Sequence, residues 1–209
     1  KILSVQRHNR LVTVHPGVIT GRLHKSLEKK GFFYPPDPAS LAICTLGGNI
    51  AEDAGGPRAV KYGVTHDYVL GLRVLLSDGR RLSLGGETLK DVAGYRLASI
   101  FTGSEGTLGI ITRATLRILP LPRTRLLLLC LFPSIASALT SVQEILFHET
   151  PSAIEFMDRQ ATRLVRAHLP GNDVGGVESL LLIEPDGFEA EVNHVLDIVS
   201  RVCHKNAAV

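Results

Sequence analysis

Phe101-Thr102-Gly103-Ser104-Glu105-Gly106-Thr107-Leu108-Gly109-Ile110-Ile111 constrains this chain more than any other stretch. Gly103, Gly106 and Gly109 recur every third residue, one carboxylate lies among them, and a β-branched run follows at once. Glycine is required where the backbone takes φ > 0 or closely approaches another group. Repeated at the mouth of one strand, it points to main chain pressed against a flat or phosphorylated ligand. A plain glycine turn leading into a strand would use the same spelling.

A second, longer cluster lies upstream. Tyr34-Pro35-Pro36-Asp37-Pro38-Ala39-Ser40 precedes Thr45-Leu46-Gly47-Gly48-Asn49-Ile50-Ala51-Glu52-Asp53-Ala54-Gly55-Gly56, and Lys61-Tyr62-Gly63 follows. Proline fixes φ and lacks a backbone donor, so residues 35–38 read as a stiff extended segment suited to walling a pocket. Gly47-Gly48 and Gly55-Gly56 bracket a stretch of small side chains. A ligand there meets backbone, the Thr45 hydroxyl and the Asn49 amide; tight packing of a loop and helix on a sheet is the other reading.

In this order the two clusters resemble the FAD-binding domain of vanillyl-alcohol oxidase-type flavoproteins. Within that family the likeness is to FAD-linked 2-hydroxy-acid dehydrogenases: the flavin subunit of glycolate oxidase and the D-lactate and D-2-hydroxyglutarate dehydrogenases. The residues that carry it are Tyr34 to Asp37, Gly47 to Asn49, Ala54 to Gly56, Lys61 to Gly63, Gly94-Tyr95 and Gly103 to Gly109. It is strong over residues 1–122 and weaker through Ala153-Ile154-Glu155-Phe156-Met157-Asp158.

Length and composition set limits. A chain of 209 residues can bury a core, and 44% hydrophobic with 21% charged residues describes an ordinary globular protein. A net charge of +3, with scattered Lys and Arg and no aromatic interleaving, argues against nucleic-acid binding. No apolar run reaches membrane-spanning length, and no secretory leader is visible. Cys44, Cys130 and Cys203 have no metal-ligand spacing and read as reduced, mostly buried thiols of a cytoplasmic protein. The chain starts at Lys1 in what reads as mid-domain sequence, so we expect a piece truncated at both ends.

The expected fold is α+β: an incomplete FAD-binding domain over residues 1–122, then the start of a ferredoxin-like α/β cap domain over 123–209. Leu11–Val14 reads as a strand, and Thr20 as the cap of a helix that buries Leu23 and Leu27 and ends at Gly31. A short helix is expected at about 45–51. A hairpin over 69–84 turns at Asp78-Gly79, and a loop through Lys90, Gly94 and Tyr95 leads to a helical piece near 96–101. Ile110, Thr112, Ala114, Leu116 and Ile118 are expected to share a buried strand face, closed by Pro120-Leu121-Pro122. Beyond it we expect a strand at 125–131 and a helix on Ile135, Ala138, Leu139, Val142, Ile145 and Leu146. A second helix on Phe156, Gln160, Leu164 and His168 stops at Pro170-Gly171. A strand at 180–184 and a helix on Phe188, Val192, Val195 and Val199 complete the reading.

The resemblance implies FAD as cofactor and oxidation of a 2-hydroxy acid (glycolate, D-lactate or similar) to the 2-keto acid, with hydride passing to flavin N5. It implies that Pro36, Asp37, Ser40, Thr45, Gly47, Gly48, Asn49, Ala54, Gly55, Glu105, Gly106, Thr107, Leu108, Gly109 and Ile110 line the flavin. The pyrophosphate loop would precede Lys1. The catalytic base and any metal ligands would follow Val209, so no catalytic residue and no metal site is assigned. His15, His24, His66, His148 and His168 have no partner spacing and read as surface or structural. Implied partners are a small 2-hydroxy-acid substrate and an electron acceptor, such as an iron–sulfur subunit, with the parent complex cytoplasmic or peripheral at a membrane. A sugar or aromatic-alcohol oxidase, an ether-lipid synthase, or a non-catalytic product that retains no flavin stays open.

Overall fold

A computed structural model describes residues 1–165 and 176–208. The chain divides into two compact units, Lys1–Leu121 and Pro122–Val209. In chain order the first holds β1 (Ile2–Gln6), β2 (Leu11–Val14), α1 (Thr20–Glu28), β3 (Phe32–Phe33), α2 (Leu46–Glu52), α3 (Ala59–Tyr62), β4 (Val69–Leu75), β5 (Arg81–Gly85), α4 (Ala98–Phe101), β6 (Ile110–Arg117) and β7 (Leu119–Pro120). The second holds β8 (Thr124–Arg125), β9 (Leu128–Phe132), α5 (Ile135–His148), β10 (Ala153–Asp158), α6 (Arg159–Val165), β11 (Ser179–Glu184), β12 (Asp186–Gly187) and α7 (Glu189–Lys205).

An antiparallel five-stranded sheet, ordered β1-β2-β6-β4-β5, organises the first unit. Val12, Val14, Leu72, Val74, Ala114 and Leu116 turn one face inward against Leu23 and Leu27 of α1, Leu46 and Ile50 of α2, and Ala98 and Phe101 of α4. Alternation along each strand puts these side chains on one face. The β4–β5 hairpin forms as its pattern predicts: Leu72 opposes Leu84, Val74 opposes Leu82, and Gly79 takes φ 84° at the turn.

Details differ from the sequence reading. Thr20 is not the cap of α1. Ile19 holds that position without a side-chain bond, and Thr20 is the first, fully buried helical residue. Its hydroxyl accepts from Asn49 Nδ2 at 2.9 Å, a tertiary bond that outcompetes the local cap. Strand β6 does not bury one continuous face. Arg73 opposes Arg113 while Val74 opposes Ile111, a bulge that leaves Thr112 unpaired. The extra residue switches the alternation. Ile111 therefore packs on the core with Ala114 and Leu116, while Ile110 stays 67% exposed.

In the second unit β10-β11-β9 form an antiparallel sheet. Cys130, Phe132, Leu181 and Ile183 pack with Ala138 and Ile145 of α5 and Ile198, Val199 and Val202 of α7. The expected strand at 125–131 is two strands. Thr124–Arg125 pairs with β12, Leu128–Phe132 pairs with β11, and Leu126 donates its N–H to Pro185 O (3.2 Å) at the break. Phe156 lies in β10, not in a helix, and the helix that follows runs over Arg159–Val165. His168 and Pro170-Gly171 lie outside the described residues. The face that α5 buries is Ala138, Ser141 and Ile145, whereas Ile135, Leu139 and Leu146 are exposed.

Candidate functional site

The upstream cluster folds around α2. Thr45 caps it, its hydroxyl accepting from Gly48 N at 3.2 Å. Gly47 N donates to Pro16 O (2.8 Å), and a Cβ on Gly47 would lie 2.6 Å from Pro16 Cβ. Gly47 is thus demanded by packing, where any larger residue would push α2 off the strand β2 connection. Gly48, next in the chain, is exposed, and its Cβ would meet only Thr45 Oγ1 at 3.4 Å. Asn49 is 3% exposed and gives its amide to Thr20, so its side chain ties α2 to α1.

After α2 the chain is held by polar anchors. Asp53 takes the left-handed conformation (φ 51°) and ends the helix. Its carboxylate accepts from His66 N at 2.8 Å and pairs with His66 Nδ1 at 2.6 Å. That bond raises the His66 pKa, against the opposing effect of burial. Ala54 O accepts from the Thr65 hydroxyl at 2.6 Å. Asp37 is buried between prolines, and its Oδ2 pairs with Arg58 Nη1 at 2.8 Å. A Cβ on Gly56 would come within 2.5 Å of Asp37 O, while one on Gly55 would lie 3.1 Å from Val64. Ser40 is exposed, and its carbonyl closes the turn by accepting from Ile43 and Cys44. Pro36 is buried, and its carbonyl faces His24 Nε2 at 3.1 Å. Burial lowers the His24 pKa more than this contact raises it.

The downstream glycine motif docks directly on the upstream one. Gly103 N donates to Ile50 O (2.8 Å) and Glu105 N to Ala51 O (2.9 Å), so the last carbonyls of α2 find donors outside the helix. Thr107 N closes on Ser104 O at 3.0 Å, and Glu105 and Gly106 take φ 52° and 74°. Positive φ at both central residues is the signature of a type I′ turn. Gly109 then slips beneath the hairpin, where a Cβ would lie 2.7 Å from Val74 Cγ1 and 2.9 Å from Leu75 O. Gly106 faces open space, with nothing within 4 Å of its Cβ position. The turn also exposes Leu108 and Ile110, at 46% and 67%.

The arrangement suits a flat, partly apolar group. Bare backbone at Gly48 and Gly106 lies on two segments that are hydrogen-bonded together, and Leu108 and Ile110 show apolar surface beside the second. Bare backbone beside apolar surface is compatible with an isoalloxazine edge, although the Gly48 N–H itself is taken by Thr45 Oγ1. Sequence reasoning missed Arg58, Asp53 and His66. A buried acid held between prolines calls for a cation, and that was the available signal for Arg58.

Two protein families match the chain: "FAD binding domain" over residues 1–85 and "FAD linked oxidases, C-terminal domain" over residues 121–209. The chain belongs to the FAD-linked oxidases. It is 42% identical over its full length to the glycolate oxidase subunit GlcD of Bacillus subtilis, of which it covers 45%. It is 34% identical, again over its full length, to a D-lactate dehydrogenase of Anaerostipes hadrus, of which it covers 46%. Among solved structures, alkyldihydroxyacetonephosphate synthase superposes on the whole chain with a TM-score of 0.88 at 29% identity, and the chain covers 40% of it. This FAD-linked oxidase chain therefore spans less than half the length of the relatives it matches. FAD is the cofactor of the family, and α+β is its fold class. Among the described residues, no helix is long and apolar enough to cross a membrane.

Proposed function

We propose that this FAD-linked oxidase serves in oxidation of a 2-hydroxy acid, glycolate, D-lactate or a close analogue, to the 2-keto acid. Whole-chain similarity to a glycolate oxidase subunit and to a D-lactate dehydrogenase supports the reaction class. The observation that carries the site is the pair of bonds from Gly103 and Glu105 to the end of α2, which joins both glycine clusters into one surface. When bound, FAD supplies the electron acceptor for carbinol oxidation.

The chain's own residues hold that surface in shape. Pro36, Asp37 and Arg58 form a rigid wall, Thr45 and Asn49 fix α2, and the turn at 104–107 presents backbone rather than side chain. In this reading Gly48 and Gly106 face the cofactor, Leu108 and Ile110 exclude water from it, and Gly47, Gly55 and Gly109 keep the supporting segments close. An electron-accepting subunit fits a protein related to a glycolate oxidase subunit.

The test is an absorbance spectrum from about 300 to 550 nm, the flavin window, of the full-length polypeptide carrying these residues, followed by anaerobic addition of each acid. Flavin bands that bleach with one acid establish the reaction and name the substrate. Bands that bleach with none move the function to another flavin chemistry, that of the structural neighbour included. A polypeptide that binds no FAD overturns the reading.

A further inference from the structure

The face of the five-stranded sheet that turns away from α1 and α2 carries cations that the flavin surface does not use. Arg73 on β4 stands directly opposite Arg113 on β6, and opposite Ser83 on β5. Arg81 follows on the same side of β5, two residues from Ser83. None of these three arginines has a hydrogen bond or ion pair from its side chain among the described residues. Like charges directly opposed across a β-ladder destabilise it, so this pairing costs stability in the free protein.

The same arginines line two open concavities that share Arg73. One, about 470 Å³, holds Arg73, Arg81, Ser83 and Thr112; the other, about 170 Å³, holds Arg73, Arg113, Ser83 and Thr115. One carboxylate, Glu87, reaches the smaller concavity, and its Oε2 accepts from Gln6 Nε2 at 3.1 Å. Three guanidinium forks and the Ser83 hydroxyl bordering a concave surface match the oxygens of a phosphoryl group or a dicarboxylate; the Thr112 hydroxyl is already spent on Arg73 O at 3.0 Å. Concavity concentrates the positive potential.

We propose that the outer face of β4–β5–β6 is an anion site that takes a small dianionic ligand between Arg73, Arg81 and Arg113. None of these arginines is among the residues of the flavin surface, and occupancy of the site relieves the opposition of Arg73 and Arg113. The proposal stands on the sheet register and the unpaired cations, independently of the oxidase reaction.

Inorganic phosphate and malonate are the probes, each titrated at constant ionic strength against sodium chloride. Melting temperature and ¹H–¹⁵N spectra are the readouts. The expected result is a saturable rise in melting temperature with amide shifts centred on residues 73, 83 and 113. A response to both probes marks a site for any compact dianion, and a response to phosphate alone marks a phosphoryl site. The double variant R73Q/R113Q should fold, melt no lower than the parent, and bind the probe at least about tenfold more weakly. R80Q, which removes an arginine already paired to Asp78 at 2.6 Å, should bind as the parent does. A non-saturable response, a response matched by chloride, or one unchanged in R73Q/R113Q overturns the proposal.

Discussion

The two compact units solve different problems with different residues. In the second, strands and helices bury regular apolar stripes, and the positions that matter are large: Ile145, Leu181 and Val199 are each fully buried. In the first, the sheet core is built the same way, but its rim between residues 34 and 110 depends on residues with no side chain. Gly47, Gly56 and Gly109 are fixed by neighbours that a Cβ would strike, whereas Gly48 and Gly106 look outward. Regular packing tolerates small adjustments. A rim assembled from touching backbones does not.

The sharpest contrast comes from opposite substitutions. Ile145→Ala, emptying a fully buried position in the second unit, should cost about 3 kcal/mol in urea denaturation. Gly56→Ala, adding a methyl against Asp37 O in the first, should cost about 2 kcal/mol by overpacking alone. If Gly56→Ala were neutral, the rim would be softer than the contacts imply. Asp37→Asn should cost about 2 kcal/mol or somewhat less, because it removes the carboxylate charge that the half-buried Arg58 Nη1 meets at 2.8 Å. Gly48→Ala should go the other way, gaining up to about 1 kcal/mol in stability, because alanine is the better helix former and nothing blocks it. The same variant should retain FAD less well. Stable protein with unchanged flavin content would separate Gly48 from the cofactor surface. Gly106 is a poorer test, since its φ of 74° strains any other residue.

The smallest effect divides two histidines of the same rim. His66 has its pKa raised by Asp53, so its contribution to stability is present below the ordinary histidine range and is lost as pH rises through the folded value. His24 has its pKa lowered by burial, so its contribution is present above about 6.5 and is lost as pH falls toward the folded value. Histidine ring titration by NMR should find the two on opposite sides of the ordinary value, and Asp53→Asn should return His66 toward it while leaving His24 in place.

The hairpin, α1, α2, α5 and α7 were legible because period and turn chemistry are local. So was the likeness of the glycine clusters to a flavin domain. The face that β6 buries was not, because the bulge at Thr112 is set by pairing with β4. Nor was the role of Thr20, which looked like a cap until Asn49, far along the chain, took its hydroxyl.

The sequence by itself determined where the backbone has to be bare, since glycine is chosen one residue at a time for φ or for space. Only the tertiary structure decided which bare positions serve packing and which stay open. That depends on what lies 3 Å away, and the answer at Gly47, Gly56 and Gly109 is Pro16, Asp37 and Val74, neighbours brought in by the fold. The joining of the two glycine clusters belongs there too, because the donors of Gly103 and Glu105 meet carbonyls of Ile50 and Ala51 only once the sheet has placed them together.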